Sequence, residues 1–412
     1  MTTKIEVGIG FATGRRSFPK VLRTYIHSWK ESGLVDDKNI VLNLFVAYDL
    51  DYQNTRVTDF SNIHPELSSQ LDSKCFIGGS TQIEEINQLV DLGVVSKDEA
   101  DAVFGRGYAA KRNSILFSAI KKNMDCLMFI DDDEYPLAVT NTKNTAIWSG
   151  QQVLSNHLNY IEEADITYGY HCGYISPIPF LEFDDHLTET KFRSFIEAIS
   201  NDIINWSSLR EIMDNGGVSY ADTSILVSSI GVEVAEVNRA KFISGSNLCI
   251  NLTNPQRVFP FYNPPMARGE DTFLSTCLNE RRVIRVPTYT FHDGFSTYNS
   301  LLEGVLPIHL KSIKADNQKT IERFHRACVG WVRYKPLLVY ITEPHQYDEK
   351  MKMILAKLHE TIPAVSAFFK YPKFAEVISE FEKYQRNVKK HHRQFLDTQK
   401  AWSRLMAYLD RN

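Results

Sequence analysis

The stretch from Ile5 to Tyr48 switches between two hydrophobic periods, and that switch constrains the fold more than any other feature of the chain. Ile5 to Phe11 alternates as a strand does. Ser17 to Ser32 carries Val21, Leu22, Tyr25, Ile26 and Trp29 at helical spacing before Gly33 stops it, and Asn39 to Tyr48 is a second strand pattern. Strand, helix and strand in that order predict a right-handed crossover and a parallel sheet, because a right-twisted strand feeding a right-handed helix packs back on its sheet only that way. Such a sheet is covered on both faces and needs a large core. With 412 residues, 43% of them hydrophobic, the chain can bury one, and its length fits two domains or one large domain with an extension.

Between Asp49 and Phe104 the pattern weakens. Thr81-Gln-Ile-Glu84 and Ser96-Lys-Asp-Glu99 fit capping boxes and predict two short helices. Ala109 to Lys122 is a stronger helix, with Ile115, Leu116, Ala119 and Ile120 on one face, and it feeds the apolar run Cys126-Leu-Met-Phe-Ile130, which reads as a buried strand. Further on, Leu181 to Trp206 reads as a charged helix. Val218 to Ile230 and Val234 to Leu252 read as strands, the second bent at Ser244-Gly-Ser-Asn247. Glu270 to Arg281 reads as a helix and Val283 to Phe291 as a strand interrupted by Pro287. Beyond about residue 300 the chain is helical, charged and aromatic, and no internal repeat or low-complexity tract is present.

A net charge of -4 argues against a protein built to hold nucleic acid. The N-terminus runs straight into a strand pattern without a basic and then apolar leader, and the six cysteines are far apart with no CxxC pair. Reduced thiols in the cytoplasm are therefore expected. No apolar run approaches the ~20 residues that cross a bilayer. The segment from Phe381 to Lys400 carries Lys383, Arg386, Lys389, Lys390, Arg393 and Lys400 against Glu382 and Asp397. It reads as a solvated helix face, or else as a peripheral contact with an anionic membrane surface.

The strand at Cys126–Ile130 ends in four consecutive acids, Asp131, Asp132, Asp133 and Glu134. In open α/β sheets ligands bind outside the carboxyl ends of the strands. Several like charges at one strand end repel, and a divalent cation would relieve them by accepting hard oxygen ligands. The plainer reading is a solvated acidic turn or a helix start. Order along the chain adds to the functional one. Downstream come Gly245-Ser-Asn247, then Arg268-Gly-Glu270-Asp271, then Arg285-Val-Pro-Thr-Tyr-Thr-Phe-His292-Asp-Gly294, and upstream lies Gly107-Tyr-Ala-Ala-Lys-Arg112-Asn113.

This series resembles the family 2-like glycosyltransferases of the GT-A fold, over roughly residues 4 to 295. Those enzymes have an Ala-Arg-Asn helix, an acidic DXD strand end, a small-residue acceptor strand, a Gly-Glu-Asp helix start and a late His. The resemblance implies an α/β fold with a Rossmann-like, mostly parallel sheet. It divides the chain into a nucleotide-sugar half (1–136), an acceptor half (137–300) and a helical C-terminal extension (301–412). It also implies hexosyl transfer from a nucleoside diphosphate sugar, UDP-sugar by default and GDP-sugar next, onto a hydroxyl acceptor such as a glycan or polyol-phosphate polymer. On the family pattern Asp133 binds Mn2+ or Mg2+, Asp131 contacts the ribose or the metal through water, Asp132 shares either role, and His292 completes the coordination. Imidazole favours Mn2+. Asp271 would be the general base of an inverting transfer, the outcome favoured over a retaining one, in which Asp271 would only position the acceptor; Glu270 would bind acceptor hydroxyls or orient the loop. Ala12, Thr13 and Arg15 end the first strand where the nucleoside sits, Asp49 or Asp51 would reach the base, and Arg112 offers a fork for phosphate or a carbonyl edge. The chain departs from the family in two places: the first strand lacks the Pro-Thr-Tyr-Asn turn, and the second ends in Tyr-Asp-Leu-Asp.

Two other readings compete. Gly8-Ile-Gly-Phe-Ala-Thr-Gly-Arg15 looks like the phosphate loop of a sugar-1-phosphate nucleotidyltransferase. A GT-A scaffold that binds carbohydrate without catalysis is the non-enzymatic alternative. The aromatic stretches Tyr168 to Tyr174 and Tyr262 to Met266 either line an acceptor pocket or pack in the core, and the C-terminal region is free to cap the site, dock an acceptor carrier or form a homo-oligomer.

Overall fold

A computed structural model describes residues 4–142, 145–200 and 206–410, so residues 201–205 of the predicted charged helix, and residues 1–3 at the N-terminus, lie outside the described residues. The described strands are β1 (Ile5–Thr13), β2 (Ile40–Tyr48), β3 (Ser73–Ile77), β4 (Cys126–Phe129), β5 (Glu134–Tyr135), β6 (Leu137–Asn141), β7 (Ala146–Gly150), β8 (Ile166–Gly173), β9 (Val232–Glu233), β10 (Leu248–Asn251) and β11 (Val283–His292). One sheet runs in the order β3-β2-β1-β4-β10-β8-β11-β5, with β9 also paired to β11, and β6 and β7 form a separate hairpin. The long pairings, β1 with β2, β2 with β3, β1 with β4 and β8 with β11, are parallel. β10 runs antiparallel to both neighbours. The protein is thus mixed α/β with a large, mostly parallel central sheet and a helical C-terminal region.

The opening crossover forms as its periodicity requires. The helix Phe18–Glu31 has Pro19 in its first turn, where a missing N–H costs nothing, and it buries Val21, Leu22, Tyr25, Ile26 and Trp29. On the other face of the sheet lies the helix Tyr108–Lys121, and close packing on that face explains two glycines of β1, Gly8 against side chains of the neighbouring strands and Gly10 against the helix. A Cβ on Gly8 would come within 2.9 Å of Leu127 Cδ1, and one on Gly10 within 2.9 Å of Ile115 Cγ2. The Gly8 to Thr13 run is therefore strand, with its glycines admitting neighbouring side chains, and no phosphate loop.

Other segments differ from their sequence patterns for local reasons. β3 is short, begins Ser-Lys and lies at the sheet edge, so it lacks the apolar run that marks a buried strand. The helix Gly79–Asp91 starts before Thr81, which therefore caps nothing, whereas the Ser96/Glu99 box is present in both directions, at 2.8 and 3.3 Å. Val218 to Ile230 is no strand. Ser219 makes a single bridge to Gly173, after which Asp222 accepts from the Ser224 amide at 2.7 Å and caps the short helix Thr223–Leu226. Of Val234 to Leu252 only β10 is strand, and the helix predicted over Glu270 to Arg281 ends at Ser275. β11 passes through Pro287 with a register shift between Arg285 and Tyr289, as expected where a ladder donor is missing.

Four long helices follow residue 300: Gln318–Thr342, Tyr347–Phe368, Glu376–Arg386 and Val388–Leu409. The apolar cores do not divide at that boundary. Phe192, Phe195 and Leu209 share a cluster with Phe324, Cys328, Leu358 and Phe374. Trp402, Leu405 and Met406 of the last helix join Phe104, Phe117, Leu248 and Phe261, and the Trp402 indole donates to the Val258 carbonyl at 2.9 Å. Lys383, Arg386, Lys389, Lys390, Arg393 and Lys400 are all exposed on these helices. Among the described residues no helix is long and apolar enough to cross a membrane, and all six cysteines are free.

Candidate functional site

Strand order brings the candidate residues together. β1 and β4 are parallel neighbours, so Thr13 and Arg15 leave the sheet beside Asp131 to Asp133. β10 is reversed, which returns Gly245 and Ser246 to the same edge from the opposite direction. β5 pairs with the end of β11 and sets Glu134 opposite His292.

The four acids have four different environments. Asp131 accepts from Arg112 Nη2 at 3.0 Å, and its amide donates to Ser246 Oγ at 3.1 Å. Burial, with Glu134, Asp133 and Asp132 close by, raises its pKa to about 7 against the pull of Arg112. Asp132 is buried, accepts from the Thr13 hydroxyl and stands 3.3 Å from Arg15 Nη1. Burial raises it to about 6, against the pull of Arg15. Asp133 also loses solvent, but His292 Nε2 at 3.4 Å and Arg15 Nη1 at 2.6 Å outweigh that and hold it well below the usual carboxylate range. Glu134 is buried too, yet His171 and hydrogen bonds from Ser246 and Thr290, both 2.8 Å, keep it ionised.

A second half of the site hangs on Arg112. Its guanidinium is buried, donates to the Gly245 carbonyl, pairs with Asp131 and lies 3.7 Å from Glu270 Oε1. The rings of Phe129 and Phe261 cover it at 5.1 and 5.5 Å. Arg112 thus ties the acidic strand end to the Gly269-Glu270-Asp271 turn. Gly269 takes a left-handed φ of 95° and starts the helix Glu270–Ser275. Asp271 Oδ2 accepts from the Gly245 amide at 3.2 Å, and burial beside Glu270 raises its pKa to about 6.

The remaining predicted residues are more peripheral. Ala12 has its side chain in the core. Thr13 orients Asp132 and accepts from the Arg15 amide at 3.1 Å. Asp49 lies at the end of β2, 3.5 Å from Lys111 Nζ, and its Oδ1 accepts from the Asp51 amide at 3.0 Å. Tyr168 to Tyr174 is strand β8 and its continuation, where Gly169 interlocks with the Asn247 amide, and Tyr262 is buried with its hydroxyl on the His391 carbonyl at 3.0 Å. The first stretch and Tyr262 pack in the core, whereas Pro265 and Met266 are exposed. Sequence reasoning missed His171, Ser246 and Thr290 as partners of Glu134. The Gly245-Ser-Asn247 motif was a signal for Ser246; His171 and Thr290 had none beyond their strands.

Asp133 and His292 make a two-donor pair, a carboxylate oxygen and an imidazole nitrogen 3.4 Å apart. This suits a divalent cation that takes its other ligands from substrate oxygens and water. Among the described residues no three His, Cys, Asp or Glu side chains converge as metal ligands. Without a cation His292 is protonated. Burial opposes this, but Asp133, Glu134 and Asp131 raise its pKa to about 9. A raised His stabilises the fold fully below its unfolded value of about 6.5 and stops doing so as pH rises through its folded value. Asp131 and Asp132, raised as carboxylates, lose their contributions lower, between about pH 4 and 7. The melting temperature of the metal-free protein should therefore still fall between pH 7.5 and about 9, and His292→Gln should flatten that part of the profile. An unchanged slope in the variant would assign it to other groups.

Compared with known proteins, the chain matches no family model, and no curated protein matches its sequence.

Proposed function

We propose that the protein is a metal-dependent glycosyltransferase of the GT-A fold, inverting and cytoplasmic. It would move a hexose from a nucleoside diphosphate sugar, UDP-sugar first and GDP-sugar next, to a hydroxyl acceptor such as a glycan or polyol-phosphate precursor. One observation carries the reading: Asp133 and His292 meet at one end of a charged network whose other end, reached through Asp131 and Arg112, is Asp271. That network has the two parts a glycosyl transfer needs, a place to hold a departing diphosphate and a carboxylate to take a proton.

In the reaction the acceptor oxygen attacks C1 of the sugar, the C1–O bond to the β-phosphate breaks, and the acceptor proton passes to Asp271. A carboxylate with a pKa near 6 is ionised at neutral pH and still basic enough for this role. The Gly245 amide fixes its orientation. Asp133 and His292 would hold Mn2+ or Mg2+, with Asp131 acting through water, and the cation would stabilise charge growing on the leaving diphosphate. Arg15, already on Asp132 and Asp133, adds positive charge on the same side. Thr13 keeps Asp132 turned toward Arg15. Asp49, at the adjacent strand end, is the residue offered to the base.

Calorimetry against UDP, GDP, CDP and TDP, with and without Mn2+, tests the donor half. UDP should bind in a metal-dependent way, and Asp133→Asn should weaken it by about tenfold or more, the scale of losing one ionised hydrogen-bonding or ligand group. If no nucleoside diphosphate binds, or if binding ignores both metal and substitution, the reading fails.

A further inference from the structure

A second set of charges, supplied by the helical C-terminal region, faces the acidic cluster. On the helix Gln318–Thr342, Arg323, Arg326 and Gly330 follow at i, i+3 and i+7 and share one face. Arg323 donates to the carbonyl of Gly294, two residues past His292, and its guanidinium carbon stands 4.1 Å over the Phe295 ring. A Cβ on Gly294 would meet Arg323 Nη2 at 2.7 Å and His292 Cε1 at 3.0 Å, so this arginine packs directly beside the imidazole that pairs with Asp133. Farther along the same face Arg268 lays its stem over Gly330, its Cδ 3.7 Å from the position a Cβ would take. The next residue, Gly269, faces Tyr334, whose Cδ1 a Cβ there would meet at 3.1 Å, and leads into Glu270 and Asp271. One helix face therefore spans the distance from the His292 end of the site to the Asp271 end.

Arg268 and Arg326 both stand near enough to Arg323 to act on its charge. The Asp133 carboxylate attracts the Arg323 guanidinium, whereas Arg268, Arg15 and Arg326 repel it. Among the described residues Arg268, Arg323 and Arg326 have no carboxylate at ion-pair distance, whereas Arg333, on the same helix, is paired with Glu380 at 2.6 Å. Like charges gathered without counter-charges are unfavourable until an anion joins them, and the planar guanidinium fork matches phosphate oxygens two at a time.

We infer that Arg268, Arg323 and Arg326 form a phosphate-binding site, which the C-terminal helical region carries to the edge of the acidic cluster. What bears the phosphate rests on the proposed transfer: it is either the diphosphate of the donor or a phosphate on the hydroxyl acceptor. In both cases the C-terminal region is part of the substrate site.

The test uses inorganic pyrophosphate as the probe, titrated into the full chain by calorimetry. Arg268 and Arg326 are exposed, so Arg268→Ala with Arg326→Ala leaves the core intact, which a thermal melt verifies. Wild type should bind pyrophosphate, the double alanine variant about tenfold or more weakly, and the double lysine variant in between. Saturating UDP separates the sources. Displacement of pyrophosphate assigns the site to the donor, and continued binding assigns it to a phosphorylated acceptor. The inference is overturned if wild type does not bind pyrophosphate or if the alanine variant binds it as tightly. Arginine-dependent pyrophosphate binding in a protein that binds no nucleoside diphosphate would keep the site and remove the transferase reading.

Discussion

Asp271→Asn should lower the rate of sugar transfer by about 10²- to 10⁴-fold, the range lost with a positioned general base, while metal-dependent UDP binding stays close to that of wild type. Asparagine keeps one oxygen, enough to accept from the Gly245 amide, which Asp271 Oδ2 meets at 3.2 Å; its NH2 group cannot replace Oδ1 as acceptor for the Thr272 amide, so the variant loses the proton acceptor and one hydrogen bond at the helix start. Its neighbours also set the pH at which it works. Burial beside Glu270 raises its pKa to about 6, and the Thr272 amide at 2.8 Å and Arg112 restrain the rise. Wild-type kcat/KM should therefore fall on the acid side with a midpoint near pH 6, since a protonated carboxyl cannot take the acceptor proton. Release of nucleoside diphosphate from the donor, followed against pH, reads both effects. A variant as fast as wild type would reduce Asp271 to a helix-start charge that favours the dipole.

Arg112→Met should produce the largest loss of stability, about 3–5 kcal/mol, which is the cost of removing one partner from a buried ion pair. Methionine fills much of the volume and keeps contact with Phe129 and Phe261, so the loss reports charge more than packing. Three groups lose their counterpart together: the Gly245 carbonyl, Asp131 and Glu270. Asp131, already raised to about 7 by burial and its acidic neighbours, loses the cation that restrains it most. Adding Asp131→Asn should recover part of the loss, because the uncompensated charge goes with it. Urea unfolding measures both variants. A loss below about 1 kcal/mol would mean that solvent, not Arg112, neutralises the strand end.

How much of this was legible in the chain depended on the distance over which each feature is encoded. The crossover from β1 to β2 is written in local periodicity, and so are the Arg112 helix and the apolar strand that ends at the acids. The capping box at Ser96 and Glu99 was readable because it lies within one turn. β3 was not readable, since an edge strand has little apolar pattern, and the Val218 to Ile230 run misled because Asp222 offered its backbone a local cap instead of a ladder. At the site Asp131, Asp133, Asp271 and His292 stood out by type and order. The distribution of their charge did not. That Asp133 faces His292 and Arg15, that Glu134 turns to His171, Ser246 and Thr290, and that Arg112 bridges to Glu270 all follow from strand order, from the reversal of β10 and from the pairing of β5 with β11.

By itself, then, the sequence determined the elements with a strong local pattern, the opening crossover, the Arg112 helix and the strand that ends at the acids, together with the inventory of charges, because helix and strand periods and caps depend on neighbours a few residues away. Only the tertiary structure decided which carboxylate meets which cation, and that the helix Gln318–Thr342 brings Arg323 beside His292. A carboxylate's state depends on burial and on charges within a few ångströms, and for these residues those charges come from strands and helices far away along the chain.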